Sequence, residues 1–180
     1  MPALPDDRIV LVEHDPRWSA VAARETERLR AALGDALIEV HHIGSTSIPG
    51  IRAKPIVDLL PVVRSLDEID AARRHVEALG WSWRGEFGIA GRRYCVLTDA
   101  TTGARIAHAH AFAAGSGEIA RHVDFRDYLR AHPDEARAYE SEKLRAMALH
   151  ADDRNAYTDA KGPWIEACDR RAAAWRAGHR

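Results

Sequence analysis

Cysteine is scarce in this chain of 180 residues: there are two, Cys95 and Cys168, far apart and in no CxxC or finger spacing. That excludes a disulfide framework and a cysteine-built zinc site, and it fits thiols kept reduced in a bacterial cytosol. An excess of charge of one sign is missing as well. With 26 Lys and Arg against 27 Asp and Glu, the formal net charge is −1. No broad field therefore recommends an extended nucleic-acid surface or an anionic membrane, and any anion site must be built locally. No apolar run approaches the ~20 residues of a membrane span, and MPALPDDRIV lacks a basic region followed by an apolar one. The expectation is a cytoplasmic protein without a membrane partner. Internal repeats, low-complexity tracts and linkers are absent too, so residues 1–180 are expected to form a single domain around one core.

What is present is an ordered succession of strand and helix signals. RIVLVE (8–13) has the β-branched run of a strand. Asp15 and Pro16 then open a helix whose Trp18, Val21, Ala22, Leu29 and Leu33 recur at helical spacing until Gly34 closes it. ALIEVHHI (36–43) reads as a second strand. PIVDLLPVV (55–63) is apolar on both faces, which suits a covered sheet, while Pro61 cannot donate to a ladder and is expected at an edge or a bulge. Ser65 with Glu68 is a capping box for a helix that Gly80 ends. WSWRGEF and RRYCVLTD flank GIAGR as a hairpin. RIAHAHAF (105–112) is the last strand, with Ile106, His108, His110 and Phe112 on one face. Helices are expected over about 117–131, 134–150 and 153–177, with Pro163 kinking or breaking the last. The fold class is α+β: a mixed sheet of about five or six strands, helices packed on it, and a helical C-terminal third of about 117–177.

Chemistry gathers in HHIGSTSIPGIRAKPIVDLL, residues 41–60. Gly44-Ser45 follows a strand, and glycine permits the close approach and unusual φ of an anion-cradling turn; Ser45, Thr46 and Ser47 add hydroxyls and Lys54 a cation. The same composition also suits an ordinary turn between strands. Asp58 stands amid Ile56, Val57, Leu59 and Leu60, where an ionised carboxylate is costly unless a metal, a cation or a set of donors holds it. An ion pair with Lys54 or an arginine would also meet that need. His108 and His110 point to one side of their strand and can ligate one ion or bracket one phosphate; two hydrogen-bonded histidines at a core edge are the structural counterpart. Convergence with Asp58 would make a two-histidine, one-carboxylate metal site with open positions, joined by His42 from the neighbouring strand while His41 faces away. Arg92, Arg93 and Arg126 suit bidentate phosphate binding, Arg121 and His122 share a helix side with Arg126, and Lys143 and Lys161 stand behind them. Tyr128, Leu129, Tyr139, Leu144, Trp164 and Ile165 follow ordinary apolar spacing and read as core.

HHIGSTSIPGIRAKPIVDL, GRRYCV, AHAHAF, HVDFRDYLRAHPDEARAYESEK and DDRNAYTDAKGPWI together resemble the GrpB family, over about residues 8–170. These are small bacterial proteins, also found as a tail on some dephospho-coenzyme A kinases. The resemblance implies the nucleotidyltransferase-like fold, whose active enzymes place a Gly-Ser at the start of a helix and metal-binding aspartates on the next strand. Gly44-Ser45 matches the first element and Asp58 the first aspartate. Leu60 departs from the pattern, standing where a second carboxylate lets two Mg²⁺ ions clamp an in-line displacement. His108 and His110 would lie on the strand that carries the third carboxylate.

Three functional readings follow. In the first, a transferase, Gly44, Ser45, Thr46 and Lys54 hold a nucleoside triphosphate. Asp58, His108 and His110 act in catalysis and bind one divalent ion, Mg²⁺ or Mn²⁺ ahead of Zn²⁺, while Arg92, Arg93, Arg126, Lys143 and Lys161 meet phosphate charge. The second is a non-catalytic nucleotide-binding or accessory module, which Leu60 favours. The third is a mononuclear hydrolase or lyase on the same three ligands, with Glu86 or His42 as base. The expected partner is a small molecule, a nucleotide in the first two readings.

Overall fold

The structure, a computed structural model, describes residues 8–179; residues 1–7, read above for a leader, and Arg180 lie outside that range. Helix α1 (Arg17–Leu33) starts as its signals dictate: the Asp15 carboxylate accepts the Arg17 N–H at 2.9 Å, and Gly34 ends the helix at φ 53°. Five strands follow, β1 (Leu37–Ile43), β2 (Val57–Val63), β3 (Trp81–Trp83), β4 (Arg92–Thr98) and β5 (Arg105–Ala113). They form one mixed sheet in the order β1-β2-β5-β4-β3, in which β2 and β5 are parallel and every other neighbouring pair is antiparallel.

Two helices, α2 (Leu66–Ala71) and α3 (Arg73–Ala78), occupy the segment expected to be one, because Ala72 interrupts the turn with ψ at 0°. Ser65 caps α2 by accepting the Glu68 N–H at 3.2 Å. The last third is α4 (Gly117–Ala131), α5 (Pro133–His150) and α6 (Arg154–Ala177). Asp153 caps α6, accepting the Ala156 N–H at 3.0 Å. No helix among the described residues is long and apolar enough to cross a membrane.

Three expectations need correction. Residues 8–13 form no strand of the sheet; they contribute an isolated bridge between Val12 and Ala53. Ile9 instead packs with Ala146 and Tyr157 of the helical third and donates its N–H to the Ala151 carbonyl, so the burial that favours a β-branched run is met outside a ladder. Pro61 is not at an edge. It lies in β2 between β1 and β5, opposite Val40, and its missing donor falls where the parallel ladder has no partners at Leu60 and Pro61. Pro163 does not break α6, which runs through it from Arg154 to Ala177. The turn around it is held from α5, where Tyr139 stacks on Trp164 at 5.1 Å and Arg145 donates to the Ala160 carbonyl at 2.9 Å.

The period-2 alternation of the strands divides the sheet into two faces. Val57, Leu59, Ala107, Ala109 and Cys95 pack with Trp18, Leu29 and Leu33 of α1 in the main core. Asp58, Leu60, His108 and His110 point the other way. A separate apolar cluster of Ile48, Ile51, Tyr128, Leu129, Tyr139 and Cys168 joins the helical third to the connection after β1. That cluster brings α5 and α6 beside the Gly-Ser turn.

Candidate functional site

Antiparallel pairing sets Ile43 at the end of β1 opposite Asp58 on β2, so the chain leaving β1 passes directly over the aspartate. Gly44 adopts φ 67°, and a Cβ built on it would lie 2.5 Å from Asp58 Oδ2 and 3.1 Å from Asp58 Cβ. Both the dihedral and the contact demand glycine. Ser45–Ser47 then make one short 3-10 turn, fastened by Ser47 Oγ donating to the Gly44 carbonyl at 2.6 Å.

Parallel pairing of β2 and β5 places His108 level with Asp58, and His110 follows on the same face. His108 Nδ1 lies 3.2 Å and His110 Nε2 3.4 Å from the same oxygen, Asp58 Oδ1. One ligand atom from each residue lies within 4.8 Å of the others, so Asp58 and the two histidines, whose meeting the sequence leaves open, do converge. Burial pushes the Asp58 carboxyl up, but the hydrogen bonds and charge of the two histidines outweigh it and hold the group well below the usual carboxylate range. Burial moves His108 the other way, below the ordinary imidazole value, and its Nε2 is buried without a partner.

Two imidazole nitrogens and one carboxylate oxygen are a donor set for a single divalent ion with open positions. A two-ion arrangement does not fit these residues. Leu60, the next side chain on the Asp58 face, is 0% exposed against Ile43, Val62 and Phe112 and offers no oxygen. His42 does not join the cluster either. The ladder sets it opposite Leu59, on the other face, with Nε2 2.9 Å from Thr46 Oγ1 and burial lowering its pKa to about 4. His41, opposite Leu60, takes the Asp58 face instead and pairs with Glu39 at 3.1 Å.

A cavity of about 130 Å³ adjoins this cluster. Gly44, Ser45, Thr46, Lys54, Ile56, Asp58 and His108 line one side, and Tyr139, Lys143, Tyr157 and Lys161 from α5 and α6 line the other. Lys143 Nζ sits 4.8 Å from the Tyr139 ring centroid, while Lys161 and Lys54 lie 4.2 and 5.5 Å from that of Tyr157. Tyr139 Oη is 3.4 Å from Ser45 Oγ, and Lys143 donates to the Arg52 carbonyl. Burial, helped by the neighbouring lysine charges, lowers Lys143 to about 7 and Lys161 to about 8; burial also lowers Lys54. While protonated, these three lysines around one carboxylate make a local field that attracts anions. Tyr139 and Tyr157 had read as core or gone unremarked. Their signal is a shared spacing: YESEK and YTDAK each put a tyrosine one helical turn before a lysine, on one face.

The arginines are engaged elsewhere. Arg92 donates to the carbonyls of Glu86 at 3.1 Å and Phe87 at 2.6 Å, and its Nη1 lies 3.4 Å from His110 Nδ1. It braces the loop beside the cluster. Glu86, considered above as a base, accepts the Gly91 N–H at 2.7 Å. Arg93 points to the opposite face and pairs with Asp70 at 2.6 Å, and Arg126 pairs with Asp127 while donating to the His42 carbonyl at 3.2 Å. Neither lines the cavity. Arg121 pairs with Glu118 and Asp169, and the His122 ring centroid lies 6.1 Å from that of His110. Tyr94, missed in the sequence, has its ring 5.5 Å from His108 and 5.1 Å from His110.

Residues 8–171 match the family model described as GrpB protein. The UPF0157 protein YqkA of Bacillus subtilis is 38% identical over 174 residues, which cover 97% of this chain and 50% of YqkA. A dephospho-CoA kinase of Mycolicibacterium paratuberculosis is 31% identical over 188 residues, 92% of this chain and 46% of the kinase. The chain therefore spans about half the length of these two relatives. Among solved structures, the conserved protein GrpB from Enterococcus faecalis superimposes with a TM-score of 0.84 at 33% identity, covering 91% of this chain and 96% of that one. Cid1 poly(U) polymerase, in a structure with MgGTP bound, superimposes with a TM-score of 0.51 at 13% identity over 73% of this chain and 42% of Cid1. The fold is nucleotidyltransferase-like.

Proposed function

The chain belongs to the GrpB family, and on that premise we propose that it holds the phosphate chain of a nucleoside triphosphate in the lysine cavity and transfers the nucleotidyl group to a small acceptor. The observation that carries this reading is the approach of Gly44 to Asp58 at the wall of a cavity holding three lysines. The bare glycine lets the turn close onto Asp58 and fixes the carboxylate at the cavity wall, while Lys54, Lys143 and Lys161 supply countercharge for phosphate in the cavity beside it. MgGTP in Cid1, a neighbour in fold, supports the ligand class by analogy alone.

In the transfer, an acceptor oxygen forms a bond to the α-phosphorus. The bond from that phosphorus to the α,β-bridging oxygen breaks, and pyrophosphate leaves with the bonding pair. The lysines stabilise the charge that grows on the leaving pyrophosphate. Asp58, His108 and His110 would hold one divalent ion, which when bound supplies Lewis-acid stabilisation of phosphate charge. Burial favours neutral His108, the form with a lone pair to offer. The ion could be Mg²⁺, Mn²⁺ or Zn²⁺, and the nitrogen-rich donor set suits the latter two better than it suits Mg²⁺.

Leu60 favours a second reading, a module that binds nucleotide without turnover and serves a partner enzyme. One experiment separates the two. The full chain is scanned for thermal shifts with ATP, GTP, CTP, UTP and coenzyme A, each with Mg²⁺, Mn²⁺, Zn²⁺ or chelator, and pyrophosphate release is then followed over a panel of acceptors. A metal-dependent nucleotide shift with pyrophosphate release supports transfer. The same shift without release selects the module. A shift with metal alone and with no nucleotide overturns both, in favour of a mononuclear hydrolase or lyase.

A further inference from the structure

The loop between β3 and β4 holds Phe87, the one non-glycine residue with positive φ, 45°, among the described residues. A bulky side chain is disfavoured there, and such conformations persist where the surroundings enforce them. Enforcement comes from Arg92, whose guanidinium takes the carbonyls of both Glu86 and Phe87, and from Glu86, which takes the Gly91 N–H. Burial is not the return for this arrangement, since Phe87 is 66% exposed. Its ring stacks on Tyr94 with centroids 5.2 Å apart and planes at 25°, and Tyr94 leans on His108 and His110. An aromatic ring is thus held out in solvent, backed by a second ring, beside the candidate ion ligands.

The lysine cavity supplies no such surface. At about 130 Å³ it is smaller than the ~300–1,000 Å³ of pockets that enclose drug-sized ligands, so a nucleotide with phosphates inside must leave its base outside. Its own aromatic rings are also taken: Tyr139 by Trp164 and Lys143, Tyr157 by Lys54 and Lys161. Phe87 and Tyr94 are not among the cavity walls, but Tyr94 packs against His108, which is one, as well as against His110, which is not.

We propose that Phe87, backed by Tyr94, is the stacking platform for the base of the nucleotide whose phosphates enter the lysine cavity. The proposal rests on the reading of that cavity as a phosphate site and adds the recognition of a ring. Every base has a π-face, so the platform confers affinity with weak preference among bases.

The test is calorimetric titration of the full chain, with Mn²⁺ present, using inorganic tripolyphosphate and each of the four common ribonucleoside triphosphates. Wild type is compared with Phe87→Ala and Phe87→Trp. Phe87→Ala is expected to weaken nucleotide binding about tenfold and to leave tripolyphosphate binding unchanged, while Phe87→Trp restores nucleotide affinity. Unchanged nucleotide affinity in Phe87→Ala, with tripolyphosphate still bound, overturns the platform and leaves the phosphate site standing. Equal weakening of both probes also overturns it, because the loop would then be a structural support. Binding of neither probe by the wild type overturns platform and phosphate site together.

Discussion

Gly44 and Asp58 meet with no room between them: a Cβ at position 44 would stand 2.5 Å from the carboxylate oxygen Oδ2. The glycine is also at φ 67°, so space and dihedral both exclude a side chain. Gly44→Ala is expected to destabilise the fold by about 1–3 kcal/mol and to abolish tripolyphosphate binding. Urea denaturation and calorimetry read the two effects. A midpoint equal to wild type would mean that the turn relaxes away from Asp58.

The Asp58, His108 and His110 cluster is expected to bind one ion. Wild type should gain thermal stability with Zn²⁺ or Mn²⁺, by about 3 kcal/mol at a hundredfold excess over Kd. Asp58→Ala or His108→Ala should remove most of that gain, while His42→Ala, on the other face, should keep it. A stoichiometry of two ions per chain, read by equilibrium dialysis, would contradict the single-ion geometry.

The lysines tie pH to binding and stability with opposite signs. Burial lowers Lys143 to about 7 and Lys161 to about 8, against an ordinary value of 10.5 in the unfolded chain. Below about pH 7 both states carry the protons and the burial cost is fully present. Between pH 7 and 10.5 the unfolded chain holds more protons, so these groups make the ligand-free protein more stable as pH rises. Tripolyphosphate binding should weaken earlier, as pH rises through about 7 and 8, because there the folded site loses the charges of Lys143 and Lys161. Lys143→Met should reduce both slopes; parallel slopes of the same sign would assign the pH effect to other groups.

Leu60→Asp would restore the second carboxylate in sequence without restoring a two-ion site. Leu60 is fully buried among Ile43, Val62 and Phe112, so an ionised side chain there is expected to cost about 3 kcal/mol or more. Guanidinium denaturation with and without Mg²⁺ is the measurement. A variant as stable as wild type that takes up two Mg²⁺ ions would show that the apolar cluster yields to a metal.

Much of the site was legible before folding. The HxH alternation put His108 and His110 on one face, the apolar setting of Asp58 marked it as a held carboxylate, and Gly44-Ser45 marked the turn. Capping signals at Asp15 and Ser65 located two helix starts. The misreadings share a cause. RIVLVE has strand composition but no ladder to join, Pro61 found a gap inside the sheet, and the faces of His41 and His42 were assigned without the register of β1 against β2.

Local stereochemistry, with its periods of 2 and 3.6 residues, is written into the order of the residues, and so are the glycine at 44, the caps and the inward faces of strands and helices. Strand order is not, because it depends on contacts between segments far apart in the chain whose energies no local period carries. The tertiary structure alone laid β5 parallel to β2 so that His108 stands level with Asp58. It alone folded α5 and α6 back so that Lys143 and Lys161 face Lys54 across a cavity, because the apolar cluster of Ile48, Ile51, Leu129 and Tyr139 is buried only when the helical third closes over the Gly-Ser turn.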